Sequence, residues 1–434
     1  MLPITYLHWS WNRMRKSISF YALLIILTVF LSFRFCYIEN NSRNGYNATS
    51  WDAFGYYMYL PATFIYGDVN KMAWIPALDS VYHLTGGNLY QAIKLPDGNY
   101  TGKYFCGIAI LQAPFFFIGH GLAAISGAPL DGFSAPYQYA ILFGAIFWAF
   151  LGFVILRKVL MRFYNDEVAA ITLLLIALAS NLIQYVSKDG AMAHAFIFPL
   201  YAMVIWMTVK WHERPAIGTA MGIGLICGLA VICRPTELLM IFIPVLWNTH
   251  TQEGREEKKQ LILKYKSHIA WCILAGFFAI LPQLLYWKYT TGSFVFDVGS
   301  KWVFLDPWFR VLFGAESGWF LYTPVAILMV LGLFFIRKMP FRNAVMVFCL
   351  LNIWVVIAWF DWRYGASYST RALVQSYPVF ALPLAGIVSF LLMKWKRSLF
   401  YGTMTALIIF NFYSLWLYNH GGTWHSFSPL LKFF

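Results

Sequence analysis

An all-α protein that crosses a membrane about eleven times is the fold class this sequence predicts. Three observations carry that expectation. The 434 residues are 60% hydrophobic, 20% aromatic and only 12% charged, far from the composition of water-soluble domains. Apolar stretches of about 20 residues, enough to cross a bilayer core as helices, recur along the chain. Short Lys/Arg clusters separate them at intervals that place every cluster on one side, the positive-inside pattern.

The first stretch, about 17–38, follows Arg13, Arg15 and Lys16. It is too long for a signal-peptide core and lacks a small-residue cleavage site, so it reads as a retained anchor running outward. The next basic cluster is Arg157, Lys158 and Arg162, so the span 137–156 must return. Residues 39–136 then form one long outer loop with interfacial helices. Its apolar part, 105–125, cannot be an ordinary span without stranding that cluster outside. Pro114, Gly119, His120 and Gly121 predict an interrupted helix that lies along, or dips into, the outer leaflet.

The later spans alternate. The span 168–187 exits and 191–210 returns to Lys210 and Arg214. Spans 216–233 and 235–248 form a short pair broken at Arg234-Pro235, before the basic inner loop 249–267. Span 268–288 exits, and after the late outer loop 289–318 the span 319–336 returns to Arg337, Lys338 and Arg342. Span 343–360 exits, 372–393 returns to Lys394, Lys396 and Arg397, and 398–418 exits again. Residues 1–434 thus read as one integral membrane domain. Gly218, Gly222, Gly224 and Gly228 have the small-xxx-small spacing of close helix packing.

Some functions are excluded at this level. The net charge of +14 sits in short clusters at span ends, so it signals membrane topology and not nucleic-acid binding. The six cysteines show no CxxC or zinc spacing. Cys36 and Cys106 share the outer side, where a disulfide is allowed but not favoured.

Four outer segments hold most of the polar groups that can do chemistry: 39–136, 186–194, 289–318 and 361–371. Their shared face lets them converge on one cavity, and charged groups at such depth are functional candidates by default. Asp52 comes first. Thr49 or Ser50 can cap a helix starting at Trp51, which puts Asp52 in the first turn, where the helix dipole favours its ionised form. Phe54, Tyr56, Tyr57 and Tyr59 would lay that helix in the interface. The competing reading makes Asp52 a helix-start stabiliser and nothing more. Asp68 reads as a turn residue.

Asp189 and His194 are near neighbours at the start of the following span, where acceptor binding and helix capping both fit better than a metal pair. Arg234 and Glu237, three apart at a helix break, read as a local charge pair. In the stretch 361–371, Arg363 and Arg371 lie beside small and hydroxyl residues and suit a phosphate, which Arg grips with a bidentate fork. Snorkelling to lipid headgroups is the alternative. Lys301 lies in an aromatic, basic loop that either covers the cavity or rests on the membrane.

In the order of these features the chain resembles the C-type (GT-C) membrane glycosyltransferases, in particular the bacterial protein O-mannosyltransferase and lipid A aminoarabinose transferase group. The likeness rests on several features in sequence: an acidic residue in a long first outer loop, Gly102-Lys103-Tyr104 with Ala113-Pro114-Phe115-Phe116-Phe117, an acidic turn before His194, and Gly365-Ala366-Ser367-Tyr368-Ser369-Thr370-Arg371 before a late span. It covers most of the chain as architecture. Many members pair two acidic residues in the first loop, whereas Ala53 follows Asp52 here.

The resemblance implies a bacterial inner-membrane enzyme with a cytoplasmic N-terminus and an outward-facing site. It implies a polyprenyl-phosphate-linked sugar as donor, with a glycan, lipid or protein acceptor. Asp52 would be the catalytic base, with Asp189, His194, Lys301, Arg363 and Arg371 binding substrate. Any divalent-cation requirement is left open, and no metal ligand set is assigned. An extracytoplasmic oligosaccharide polymerase or ligase and a lipid or solute transporter are the alternatives. The first usually carries its large outer loop late, and the second favours charges deep in the spans.

Overall fold

The computed structural model describes residues 17–36, 48–365 and 367–421. The basic cluster Arg13, Arg15 and Lys16, the start of the long loop and Ala366 lie outside the described residues. In chain order the helices are α1 (Ile18–Cys36), α2 (Asp52–Tyr57), α3 (Tyr59–Phe64) and α4 (Ile75–Tyr82), then a hairpin of β1 (Ala92–Lys94) and β2 (Tyr100–Gly102). There follow α5 (Gly107–Ser126), α6 (Ala135–Phe163), α7 (Asp166–Leu178), a π turn (Gln184–Lys188), α8 (Ala193–Glu213) and α9 (Ile217–Cys233). Beyond the break at Arg234 come a 3₁₀ segment (Pro235–Ile241), α10 (Phe242–Leu246), α11 (Gln252–Lys264) and α12 (Lys266–Thr291). The last part holds the short α13 (Arg310–Phe313), α14 (Trp319–Tyr322) and α15 (Val325–Leu331), then α16 (Arg342–Ile357), a 3₁₀ segment (Arg371–Ser376), α17 (Tyr377–Lys394) and α18 (Arg397–Gly421).

Among the described residues, seven helices are long and apolar enough to cross a membrane. The chain is therefore a polytopic helical membrane protein. The expected tally of about eleven long spans is not reproduced one for one. The span expected at 168–187 stops as α7 at Leu178 and tightens into the π turn. That at 319–336 is divided, with Pro324 at the break between α14 and α15. Proline lacks the N–H that would carry a helix through.

The helix ends sort into two poles. At one, Arg157 near the end of α6 donates to Ser17 and Ser19 at the start of α1, both at 2.6 Å. Asp166, in the first turn of α7, accepts from the Ile18 amide at 2.6 Å, satisfying a donor that a helix start leaves unpaired. Arg162 pairs with Glu213 at the end of α8 at 2.6 Å. This is the pole of the Lys/Arg clusters, and the alternation expected for these helices holds. The opposite pole gathers the end of α1, the loop 48–102, the turn 187–192 and the stretches 358–365 and 367–371.

Two expectations about the long loop are corrected. The segment 105–125 is not interrupted: α5 runs unbroken through Pro114. It lies antiparallel along the first part of α6, with Gly119 against Tyr137 and the Trp148 indole donating to the Leu111 carbonyl at 3.0 Å. Its start meets the backbone of Ile232 and Cys233. Nor does the aromatic run after Asp52 lie on an interface. Phe54, Tyr57 and Met58 are fully enclosed, so that segment is part of the packed interior. The hairpin 92–102 had no clear sequence signal. Cys36 and Cys106 are free.

Helices α9 and α12 run side by side on the glycine seam. A Cβ on Gly224 would stand 1.9 Å from the Cys272 carbonyl oxygen, and one on Gly228 would stand 2.3 Å from that of Gly276. Both obstacles are backbone, so the helices can approach this closely only with glycine there. Around Gly218 there is open space. Gly224→Leu should therefore lower the thermal unfolding midpoint in detergent, by the equivalent of about 1–3 kcal/mol for overpacking, while Gly218→Leu should leave it unchanged.

Candidate active site

At the second pole a cavity of about 360 Å³ opens among all four polar segments and the tip of the α9–α10 hairpin. The first segment contributes Asp52, the first turn of α8 contributes His194, the late loop contributes Trp302 and the Gly/Ser turn contributes Arg371. Convergence of outer segments on one site was the expectation, and these residues meet it.

Asp52 is held from three directions. Its Oδ1 accepts from the Tyr90 hydroxyl at 2.8 Å and from the Tyr104 hydroxyl at 2.6 Å, and its Oδ2 accepts from Arg371 at 2.6 Å. Burial pushes its carboxyl up. The Arg371 charge and the Tyr104 and Tyr90 bonds outweigh that effect, and the carboxyl titrates below its usual range. The reverse holds for Tyr90 and Tyr104, where burial and the facing carboxylate both drive the phenols up, so they stay protonated as donors.

The local sequence explains this grip. Trp51 occupies the N-cap position of α2 with φ 57° and no side-chain cap, so the expected Thr49 or Ser50 cap does not form. Instead the Trp51 amide donates to the Leu84 carbonyl at 2.8 Å, and Gln91 donates to the Trp51 carbonyl at 3.1 Å. A left-handed tryptophan stores strain of about 1–3 kcal/mol, and it lies next to the site carboxylate. Three residues on, Gly55 presents no side chain to Tyr104, whose ring would stand 2.2 Å from a Cβ there. That gap lets the tyrosine cross α2 and reach Asp52.

Arg371 opens the 3₁₀ segment before α17, and the preceding turn fixes it. Thr370 donates to the Val311 carbonyl at 2.7 Å, and Tyr185 donates to that of Tyr368 at 2.9 Å. The side chains of Asp52 and Arg371 retain 23% and 20% exposure, toward the cavity.

Three expected site residues stand apart. Arg363 is 61% exposed, pairs with Glu316 at 3.1 Å and packs on Trp362. Lys301 is exposed beside the cavity, whose wall takes Ser300 and Trp302 instead. Asp189 belongs to the turn before α8 and accepts from Gln184 at 3.0 Å. It does not share a helix end with His194, which alone of the two reaches the cavity.

Two cations enter that the residue-by-residue reading had not placed there. Lys103 lines the cavity, as does Arg234 at the tip of the hairpin. Among the described residues the Arg234 guanidinium has no ion-pair or hydrogen-bond partner, while the Arg234 backbone stays in the helix-end pattern with Ala230 and Glu237. The expected Arg234–Glu237 pair is not formed. Helical twist beyond Pro235 carries Glu237 into the core, where Tyr201 and Gln375 donate to it. Gly102-Lys103-Tyr104 was the available signal for Lys103. For Arg234 the signal was a proline-broken helix end, which reads equally as a simple charge pair.

The cavity wall thus sets Lys103, Arg234 and Arg371 against Asp52, an arrangement for an anion beside a proton acceptor. Among the described residues no group of three or more His, Cys, Asp or Glu stands together as a metal site. These residues do not fit a tightly held cation, and no step is assigned to one.

No protein-family model and no curated protein matches the chain. Among solved structures its fold is similar to the archaeal oligosaccharyltransferase AglB from Archaeoglobus fulgidus, in complex with an inhibitory peptide and a dolichol-phosphate. The TM-score is 0.51 at 10% identity, over 93% of this chain and 55% of that one. The chain spans about half the length of AglB, and at this identity the likeness is one of fold.

The Asp52–Arg371 pair makes a stability prediction. The folded carboxyl titrates below its unfolded value, so its contribution is fully present above about pH 4 and is lost as pH falls through the folded value. Asp52→Asn should destabilise at neutral pH by about 3 kcal/mol, the low end for stripping one partner from a buried pair. Melting curves at decreasing pH should show wild type converging on the variant below about pH 4. A gap independent of pH would show that the carboxylate is not the source.

Proposed function

We propose that the chain is a membrane glycosyltransferase that moves a sugar from a polyprenyl-phosphate donor to an acceptor hydroxyl on the outer face of a bacterial inner membrane. The observation that supports this reading most is one cavity holding three cations and one carboxylate. The likeness in fold to an oligosaccharyltransferase agrees with it, as does the resemblance to GT-C enzymes in the order of motifs. Arg234 and Glu237, the deep charges a transporter would need, belong to this same cavity or its wall, so they favour no separate pathway.

In the reaction the acceptor oxygen attacks the anomeric carbon as its proton passes to Asp52. The bond from that carbon to the phosphate oxygen breaks, and the polyprenyl phosphate departs with the bonding electrons. Its charge is met by Arg234, Lys103 and Arg371. The single displacement inverts the anomeric centre. In the resting site Arg371 holds Asp52, which makes the carboxylate a weak base. The donor phosphate competes for that guanidinium and, in drawing it away, restores the basicity of Asp52 as substrate binds.

Purified protein and lipid-linked sugars test this reading. Asp52→Asn should lower transfer by about 10²–10⁴, and Arg371→Ala or Arg234→Ala by about 10²–10³. A correctly folded Asp52→Asn enzyme with near-normal turnover would remove the base. The acid limb of kcat/KM, which reports free enzyme, should lie at lower pH than that of kcat, which reports the bound complex. Coincident limbs would rule out the exchange of Arg371. Mass spectrometry of co-purifying lipid would identify the donor.

A further inference from the structure

Behind the cavity wall a buried chain of side chains ends on His194. Tyr201 donates to Glu237 Oε2, and Gln375 donates through Nε2 to Glu237 Oε1 at 3.0 Å. Gln375 Oε1 in turn lies 2.8 Å from His194 Nδ1. Each link fixes the next. Gln375 turns its NH₂ toward Glu237 and its carbonyl oxygen toward the histidine, the orientation in which Glu237 accepts. The histidine must then carry its proton on Nδ1. The Tyr185 ring packs edge-on against the imidazole, with centroids 5.2 Å apart. His194 Nε2 is left as a bare acceptor with no protein partner among the described residues, on a ring that lines the cavity.

An unpartnered acceptor on the cavity wall is open to a hydroxyl or amide donor carried by a ligand. A phosphate is itself an acceptor and does not supply one at this edge. We propose that His194 Nε2 accepts a hydrogen bond from a hydroxyl of the donor sugar, the group that adjoins the phosphate, and that Gln375 and Glu237 are positioning residues that hold His194 in the accepting tautomer. This rests on the glycosyl-transfer reading, and makes His194 a group that distinguishes a sugar-bearing lipid from a bare lipid phosphate.

The test compares binding of undecaprenyl phosphate with that of undecaprenyl phosphates carrying single hexoses, N-acetylhexosamines or aminopentoses, to the full chain in detergent. His194→Asn keeps a donor near the Nδ1 position for Gln375 but removes the Nε2 acceptor. It should bind bare undecaprenyl phosphate as wild type does and bind the preferred sugar-bearing lipid roughly tenfold more weakly, the loss of one buried hydrogen bond. Glu237→Gln frees the Gln375 amide to turn over, and should reduce the same preference severalfold without changing binding of the bare lipid. Equal weakening for both lipids, or a raised KM for acceptor with donor binding unchanged, would overturn the assignment. So would a wild-type protein that binds bare and sugar-bearing lipids equally. Failure of wild type to bind either lipid would instead overturn the donor reading itself.

Discussion

The contact between Asp52 and Arg371 holds the functional pole together. The two residues lie 319 positions apart, one just after the first helix and the other just before the penultimate one. Neither is tolerable alone at this depth, because a desolvated charge is costly without a partner. Their pairing therefore ties the long loop to the late helices, and much of the surrounding architecture serves it. Gly55 admits Tyr104, the strained Trp51 sets the start of α2, and the pinned turn before Arg371 delivers its guanidinium. Two tyrosines and an arginine leave Asp52 little conformational freedom.

The same contact explains why the cavity is asymmetric. Arg371 is engaged, whereas among the described residues the Arg234 guanidinium has no ion-pair or hydrogen-bond partner and Lys103 is exposed. One cation is thus occupied in orienting the carboxylate, and the others face open space. A cavity that attracts anions without letting its own acid collapse onto every cation needs such a division. Glu237 sits close enough to Arg234 in sequence to neutralise it, yet the fold turns it into the core.

The alternation of helices between two poles was legible because lysine and arginine clusters obey a simple electrostatic rule. The Gly224 and Gly228 seam was legible for a similar reason, since small residues at fixed spacing have one main use in helices. Asp52, His194 and Arg371 could be chosen because polar groups are scarce here. Partners could not. That Asp189 diverges from His194, and that Arg363 prefers Glu316, depends on turn geometry that no spacing rule encodes. Pro114 signalled an interruption, but neighbouring α6 supports a continuous helix across it. The Arg234–Glu237 spacing favoured a local pair, but the 3₁₀ segment after Pro235 turns Glu237 toward Tyr201 and Gln375 instead.

The glycine seam also bears on how the chain is made. Residues 217–233 emerge first as a helix that carries four glycines and is followed by Arg234, and at Gly224 and Gly228 its backbone stays bare until a neighbour covers it. Their companion α12 is synthesised only after the hydrophilic α11. Until α12 arrives, the hairpin has an exposed backbone groove and an unsheltered guanidinium tip. The seam can therefore close only after roughly thirty further residues have been made. The wall that carries Arg234 is thus completed late in the making of the chain, when α12 packs against α9.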